Sequence, residues 1–275
     1  MRSRLLLSAF LALLLFGCGG NSSGGGNQPP PPPTPAVVAG QWEFVAVSTL
    51  NPGATYPDTL VEANLSQTDT TVSAGTAATS LVPFYSNQGG YGVELPVQNV
   101  CGGAGETISA TVSGQNFSFT LIEAGPSGTY TVTGTATVNS NGQVMTGTYT
   151  SAAACGFPND AGNLTGTLIA SISGTYLITF SDGSTSNATV TEDANHNVTV
   201  SGIAQGQAYA LTGEAVGGGV MVSGDIPEFG QDAYYGAYLT NQLVGLFPVV
   251  NNISTAQGDF IFVNSEGNIG LVQPQ

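Results

Sequence analysis

From Gly40 onward the chain repeats one texture: short runs of Thr, Val, Tyr, Phe and Ile alternate with polar residues and are cut by Gly, Asn or Asp. In Phe117-Ser118-Phe119-Thr120-Leu121, and again in Tyr130-Thr131-Val132-Thr133, apolar side chains fall at every second position. That is the period of a strand with one buried face. No window of a dozen residues carries the apolar stripe of a helix. Asn141-Gly142, between the strand-like Thr135–Val138 and Val144–Thr150, is a two-residue hairpin signal, because both turn positions want positive φ; Asp182-Gly183 is a second. With 39 glycines and abundant β-branched residues, the expected fold is all-β, antiparallel meander barrels or sandwiches of many short strands.

Internal similarity predicts two related units. Tyr130-Thr131-Val132-Thr133-Gly134-Thr135-Ala136 matches Tyr209-Ala210-Leu211-Thr212-Gly213-Glu214-Ala215, and Val144-Met145-Thr146-Gly147 echoes Val220-Met221-Val222-Ser223-Gly224. Gly40-Gln41-Trp42-Glu43-Phe44 has a looser counterpart in Gly174-Thr175-Tyr176-Leu177-Ile178. A duplication of this kind predicts one β-domain over residues 40–173 and a second over 174–275, each opening on a Gly-x-aromatic strand. The opening Gly-x-Trp followed by antiparallel strands loosely resembles lipocalin and avidin barrels. The resemblance implies a closed barrel and carries over no ligand.

The only basic residues are Arg2 and Arg4, directly ahead of the apolar run Leu5–Phe16. That run is too short to span a bilayer and reads as a secretory signal over residues 1–17. Leu15-Phe16-Gly17-Cys18 resembles the lipobox of bacterial lipoproteins, which implies cleavage before Cys18, acylation of its thiol, and anchoring to the cell envelope. Gly19, rather than Asp, implies the outer membrane where one exists. Residues 18–39 follow as a Gly/Ser-rich and then Pro-rich tether, flexible in its first half and stiff in its second.

Cleavage there would remove both arginines and no acid, moving the formal charge from −15 to −17. A chain without Lys or Arg can form no internal salt bridge with them and cannot neutralise a phosphate backbone, which excludes nucleic acid as a partner. With Cys18 acylated, Cys101 and Cys155 are left in an oxidising compartment, where a disulfide is expected; two free thiols or half a metal site are the alternatives.

Motifs for catalysis are scarce. His196 is the one histidine, in the turn-like Glu192-Asp193-Ala194-Asn195-His196-Asn197. There is no Gly-x-Ser-x-Gly elbow, no phosphate loop, no lysine for a Schiff base and no cofactor motif. Glu94, Glu106, Asp225, Glu228 and Asp232 could pair as carboxylates for glycoside hydrolysis. Asp193, Asn195 and Asn197 have the spacing of a calcium loop, but Val198 stands where its glycine belongs and Ala204 where its bidentate acid belongs. Tyr234, Tyr235 and Tyr238 offer rings that could stack on sugars, with Tyr234 and Tyr238 on one strand face. The expected function is therefore non-catalytic: binding or surface interaction on a membrane-anchored exported protein, with glycans or envelope proteins as partners and carbohydrate the most compatible ligand. The alternatives are a structural envelope component without a small ligand, and a glycan-cleaving enzyme using paired carboxylates.

Overall fold

A computed structural model describes residues 31–50, 58–77, 85–87, 90–92, 101, 106–227, 230–246, 248–250, 252–264 and 269–275. Residues 1–30, with the signal segment, Cys18 and the start of the tether, lie outside the described residues, as do Glu94 and Glu228.

Sixteen strands build two closed antiparallel barrels of eight. The first contains β1 (Gly40–Ser48), β2 (Asp58–Thr68), β3 (Thr71–Ala77), β4 (Glu106–Ser113), β5 (Asn116–Gly125), β6 (Gly128–Val138), β7 (Val144–Ser151) and β8 (Asp160–Ile169). The second contains β9 (Gly174–Thr179), β10 (Thr185–Glu192), β11 (Asn197–Ala204), β12 (Gln207–Val216), β13 (Gly219–Ile226), β14 (Gly230–Tyr238), β15 (Phe260–Asn264) and β16 (Ile269–Pro274). Each strand pairs with its neighbours in sequence, and the first closes on the last: Trp42 opposite Leu168 in one barrel, Ile178 opposite Val272 in the other. The helix α1 (Asn241–Leu246) bridges β14 and β15, and short hairpins join Tyr85–Asn87 to Gly90–Gly92 and Val249–Val250 to Ile253–Ser254. No described helix is long and apolar enough to cross a membrane.

The all-β expectation holds in its barrel form, with two related units. The repeat, however, is not strand for strand. It aligns β1 with β9, first with first, but β6 with β12, sixth with fourth, and β7 with β13, seventh with fifth. The matched segments are thus locally similar hairpins in different places around the two barrels. Asn141-Gly142 also turns differently from expectation: Gly142 takes positive φ (73°) while Asn141 does not. Asn139 explains it, since its side-chain oxygen accepts the N–H groups of Gln143 and Val144 and closes a longer loop. The last tether residues are held on the first barrel. Ala36 donates its N–H to the Gly114 carbonyl, and the Gln67 amide bridges Val38 N–H and the Ala36 carbonyl.

Interior rings are seated over glycines. Phe119 faces Gly134, Tyr149 faces Gly162 and Phe44 faces Gly166 across neighbouring strands; Tyr209 faces Gly202 and Phe262 faces Gly270 in the second barrel. Eight strands enclose little more than their own side chains, so a large ring needs a small residue opposite. A Cβ on Gly166 would stand 2.6 Å from the Phe44 ring, and one on Gly202 would stand 2.5 Å from the Tyr209 hydroxyl. In the first barrel Trp42, Phe44, Phe117, Met145 and Tyr149 fill the interior.

Gly166→Val should therefore destabilise the protein by about 1–3 kcal/mol through overpacking against Phe44. Gly245→Ala, in α1 with nothing within 4 Å of the new Cβ, should stabilise by about 0.5–1 kcal/mol. Urea midpoints of the two variants check both signs.

Candidate functional site

Two places in the fold depart from a plain hydroxyl-bearing barrel. The first is the interior of the second barrel. Its inward faces carry Tyr176, Ile178, Phe180, Val190, Val200, Leu211, Val220, Val222, Tyr234, Phe260, Phe262 and Val272, which with Ile172, Ile226 and Gly236 line a pocket of about 80 Å³. Ile172, on the connection between the barrels, reaches into it, and its carbonyl accepts the Tyr176 hydroxyl at 2.7 Å. Edge-to-face contacts fix the rings, with Tyr176 and Phe260 centroids 5.8 Å apart and Phe180 and Phe262 6.0 Å apart. Burial holds the Tyr176 hydroxyl above its ordinary pKa, and Tyr238 adds to that. The wall is apolar, and no Asp, Glu or His lines it.

The second place lies between the barrels. The outer faces of β1 and β2 carry three directly opposed pairs: Gln41 with Asn64, Glu43 with Glu62, and Val45 with Leu60. An outward strand face normally meets water. Here the second barrel covers it. Val45 and Leu60 pack with Leu239, Leu243, Val250, Ile261 and Leu271 in a shared apolar cluster. Asn64 accepts the Gly217 N–H at 2.9 Å and donates to the Ala215 carbonyl at 3.2 Å. Glu62 accepts the Gly218 N–H, and Glu43 accepts the Thr240 hydroxyl at 2.5 Å.

Glu43 and Glu62 are 0 % and 1 % exposed. One oxygen of each, Oε2 of Glu43 and Oε1 of Glu62, has no hydrogen-bond partner. The carboxyls converge on the turn between β12 and β13: Glu43 Oε2 and Glu62 Oε2 lie 2.8 and 3.3 Å from where a Cβ on Gly218 would sit. Gly217, at φ 59°, is pressed against the Trp42 carbonyl and Glu62, so it takes a left-handed conformation in a space with no room for a side chain. Burial pushes the Glu43 carboxyl up to about 8, opposed by the Thr240 hydroxyl. Burial also drives Glu62 well above the usual carboxylate range, reinforced by the Glu43 charge and opposed by the N–H groups of Gly218 and Gly219. Desolvation dominates in both, and no cation among the described residues offsets it.

Of the residues singled out in the sequence, Cys101 and Cys155 stand at disulfide distance, their Cα atoms 5.1 Å apart. Cys101 N–H donates to Glu123, a fully buried carboxylate facing into the first barrel. Tyr234 is 4 % exposed and lines the cavity, and Tyr238 packs inside the same barrel with its ring 5.2 Å from Phe260. Tyr235 faces out, half-buried, opposite Met221 and Val263. The three tyrosines therefore form no exposed stacking face, because the pleat that joins Tyr234 with Tyr238 turns both inward.

The Asp193 loop closes on itself. Asp193 accepts the N–H groups of Asn195 and Asn197 and the Asn197 side-chain amide, which with its other partners hold its carboxyl below the ordinary range. His196 takes the left-handed position (φ 63°) and meets Glu192 at 2.6 Å. Among the described residues no group of three or more His, Cys, Asp or Glu is placed to hold a metal. Asp225 is exposed on β13, Asp232 is half-buried on β14, and Glu106 begins β4 opposite Glu123.

The Glu43–Glu62 pair went unread in the sequence because one glutamate at an alternating strand position looks like part of a solvated face. Two signals were there. Val45 and Val47 make the outer face of β1 apolar around Glu43, and three successive glycines, Gly217–Gly219, mark a backbone that must approach something closely.

Raised carboxyl pKa values fix the direction of the pH effect. Below about 4.5 both glutamates are protonated folded or unfolded; as pH rises from there toward about 8 the unfolded chain ionises first. The contribution of these two groups to stability is thus greatest in acid and is lost with rising pH, by a few kcal/mol on linkage grounds. Urea midpoints should fall from pH 5 to pH 9 with the disulfide intact, and Glu43→Gln with Glu62→Gln should flatten that slope; a midpoint rising with pH would contradict it.

No protein-family model, curated protein or solved structure matches this chain, so its functional reading rests on this geometry.

Proposed function

We propose that this chain is an exported, lipid-anchored, non-catalytic binding protein whose second barrel receives a slender apolar ligand. The observation that carries the reading is the cavity inside β9–β16. The second barrel's side chains leave about 80 Å³ among them, with a wholly apolar lining. The first barrel, closed by the same number of strands, is filled by Trp42 and Phe117.

Size and chemistry together select the ligand class. Sites for drug-sized molecules run to roughly 300–1,000 Å³, and an apolar void of about 150 Å³ admits benzene. The space here suits a stretch of hydrocarbon chain, with a small ring requiring the walls to give. A sugar would bury hydroxyls against Val, Leu, Ile and Phe at a cost of several kcal/mol. The carbohydrate expectation rested on exposed tyrosines, and two of the three face this apolar interior. Catalysis by paired carboxylates finds no support either. Glu43 and Glu62 face each other across two strands, as a glycosidase pair might, but they are sealed between barrels where no substrate reaches them.

The anchor follows from the lipobox resemblance at Cys18, and the tether ahead of Ala36 sets the barrels off the membrane. Cys18→Ala should shift the protein from the detergent-extracted membrane fraction to the soluble fraction; unchanged membrane partitioning would remove the anchor from this reading.

The unlipidated Cys18→Ala chain also tests the ligand. It should bind a fluorescent acyl-chain probe, and Val222→Phe, which fills the cavity from β13, should weaken binding at least tenfold while the fold persists. Equal binding by both proteins would place the probe elsewhere, and no binding of any acyl probe alongside binding on a glycan array would return the ligand to carbohydrate.

A further inference from the structure

We propose that Glu43 and Glu62 form a proton-operated latch between the two barrels: with a proton held on the pair, β1–β2 stay docked on the Gly217–Gly219 turn and the Tyr238–Thr240 segment, and with the proton lost, that seam opens. The latch is independent of what the cavity binds and goes beyond the ligand reading.

Geometry makes the pair a clamp. Each carboxyl grips a different segment of the second barrel: Glu62 holds the β12–β13 turn through Gly218, and Glu43 holds the exit of β14 through Thr240. The two segments are joined to each other, since Tyr238 N–H donates to the Gly218 carbonyl at 2.9 Å. All of them belong to one end of the second barrel, where Leu239 N–H donates to the Asp259 carbonyl and Tyr238 packs on Phe260. The turn has no side chain of its own, so its docking on β2 depends on the hydrogen bonds it gives to Glu62 and Asn64.

Charge makes the clamp switchable. In most proteins a buried carboxylate pair can recruit a lysine or arginine. Here the only two basic side chains are Arg2 and Arg4. The titratable groups around the seam do not supply a cation. Tyr238 faces Glu43, which raises the tyrosine's own pKa after burial has done so. Asp259 is engaged by Ala256 N–H and the Gln273 amide. On the neighbouring turn and strand, His196 is engaged with Glu192, and Glu214 is exposed. From the first barrel the flanking groups are the amides of Gln41 and Asn64, both neutral. One proton lets the pair share a single negative charge among the Gly218 and Gly219 N–H groups and the Thr240 hydroxyl. A second charge has no partner but water, and water enters only if the seam parts. The upward displacement of both carboxyls is consistent with this arrangement.

Hydrogen exchange on the full-length chain, read at pH 6 and pH 9 and corrected for the base-catalysed intrinsic rate, tests the latch. Protection of amides in Val216–Gly219 and Tyr238–Leu243 should fall at least tenfold on going to pH 9, while β5–β7, on the far side of the first barrel, hold theirs. In the Glu43→Gln, Glu62→Gln protein, which keeps hydrogen-bonding groups but cannot ionise, the fall should vanish. Unchanged protection of the wild-type seam would overturn the proposal. So would an equal fall in the glutamine protein, or a loss spread evenly over both barrels. Should the double variant not fold, the comparison of seam with β5–β7 in the wild-type chain decides the matter alone.

Discussion

The constraint on which the rest of this structure depends is the absence of lysine and arginine from residues 31–275. Every buried carboxylate must be satisfied by backbone N–H groups, hydroxyls or a proton, and the fold shows all three. Buried Glu123 takes the Cys101 N–H on one oxygen, half-buried Asp160 accepts the hydroxyls of Ser48 and Tyr149, and even the exposed Asp193 is wrapped by the amides of its own turn. On the outside, where other proteins place Lys and Glu, the first barrel sets rows of small hydroxyl and amide side chains. Thr111, Ser118, Thr135, Thr148 and Asn163 stand opposite one another across five strands, and the hydroxyls of Thr133 and Thr150 are 3.3 Å apart. Thr suits this use because its branched carbon favours the strand while its hydroxyl stays solvated.

The same constraint explains how two barrels become one body. A shared apolar cluster alone would permit several dockings. The row Asn64, Glu62, Glu43 selects one, because each member finds its donor on a different residue, from Gly217 to Thr240. Buried polar groups are costly when unmatched and specifying when matched. Here the match is incomplete by one oxygen on each glutamate, which is what leaves the contact sensitive to protons.

The fold was legible because it is written in short-range pattern. Period-two runs such as Phe117–Leu121 and turn glycines such as Gly142 and Gly183 depend on neighbours in sequence, and a meander barrel pairs neighbours in sequence. What escaped was set by contacts across long separations. Glu43 meets Thr240 and Glu62 meets Gly218 only after both barrels have closed, and no local rule marks a glutamate as buried. The tyrosines show the same limit. Alternation correctly put Tyr234 and Tyr238 on one face, but it does not say which face is the inside, and that is decided by Val222, Phe260 and Phe262 on the strands that come to lie alongside.

The two barrels divide their labour through the way their interiors are filled. In the first, rings from β1 and β5 cross the interior and are accommodated by glycines on β6 and β8. The outer face of β1–β2 is the surface on which the second barrel docks. In the second, the rings stand around the perimeter, held edge to face, and the middle is left open. Its β15 and β16 are backed by the first barrel through Ile261 and Leu271, whereas the outer faces of β10–β12 carry Thr189, Ser201 and Ala210 to solvent. A cavity with one braced wall and one free wall can widen only on the free side. In the proposed binding role, the first barrel is the support against which the second would admit a chain.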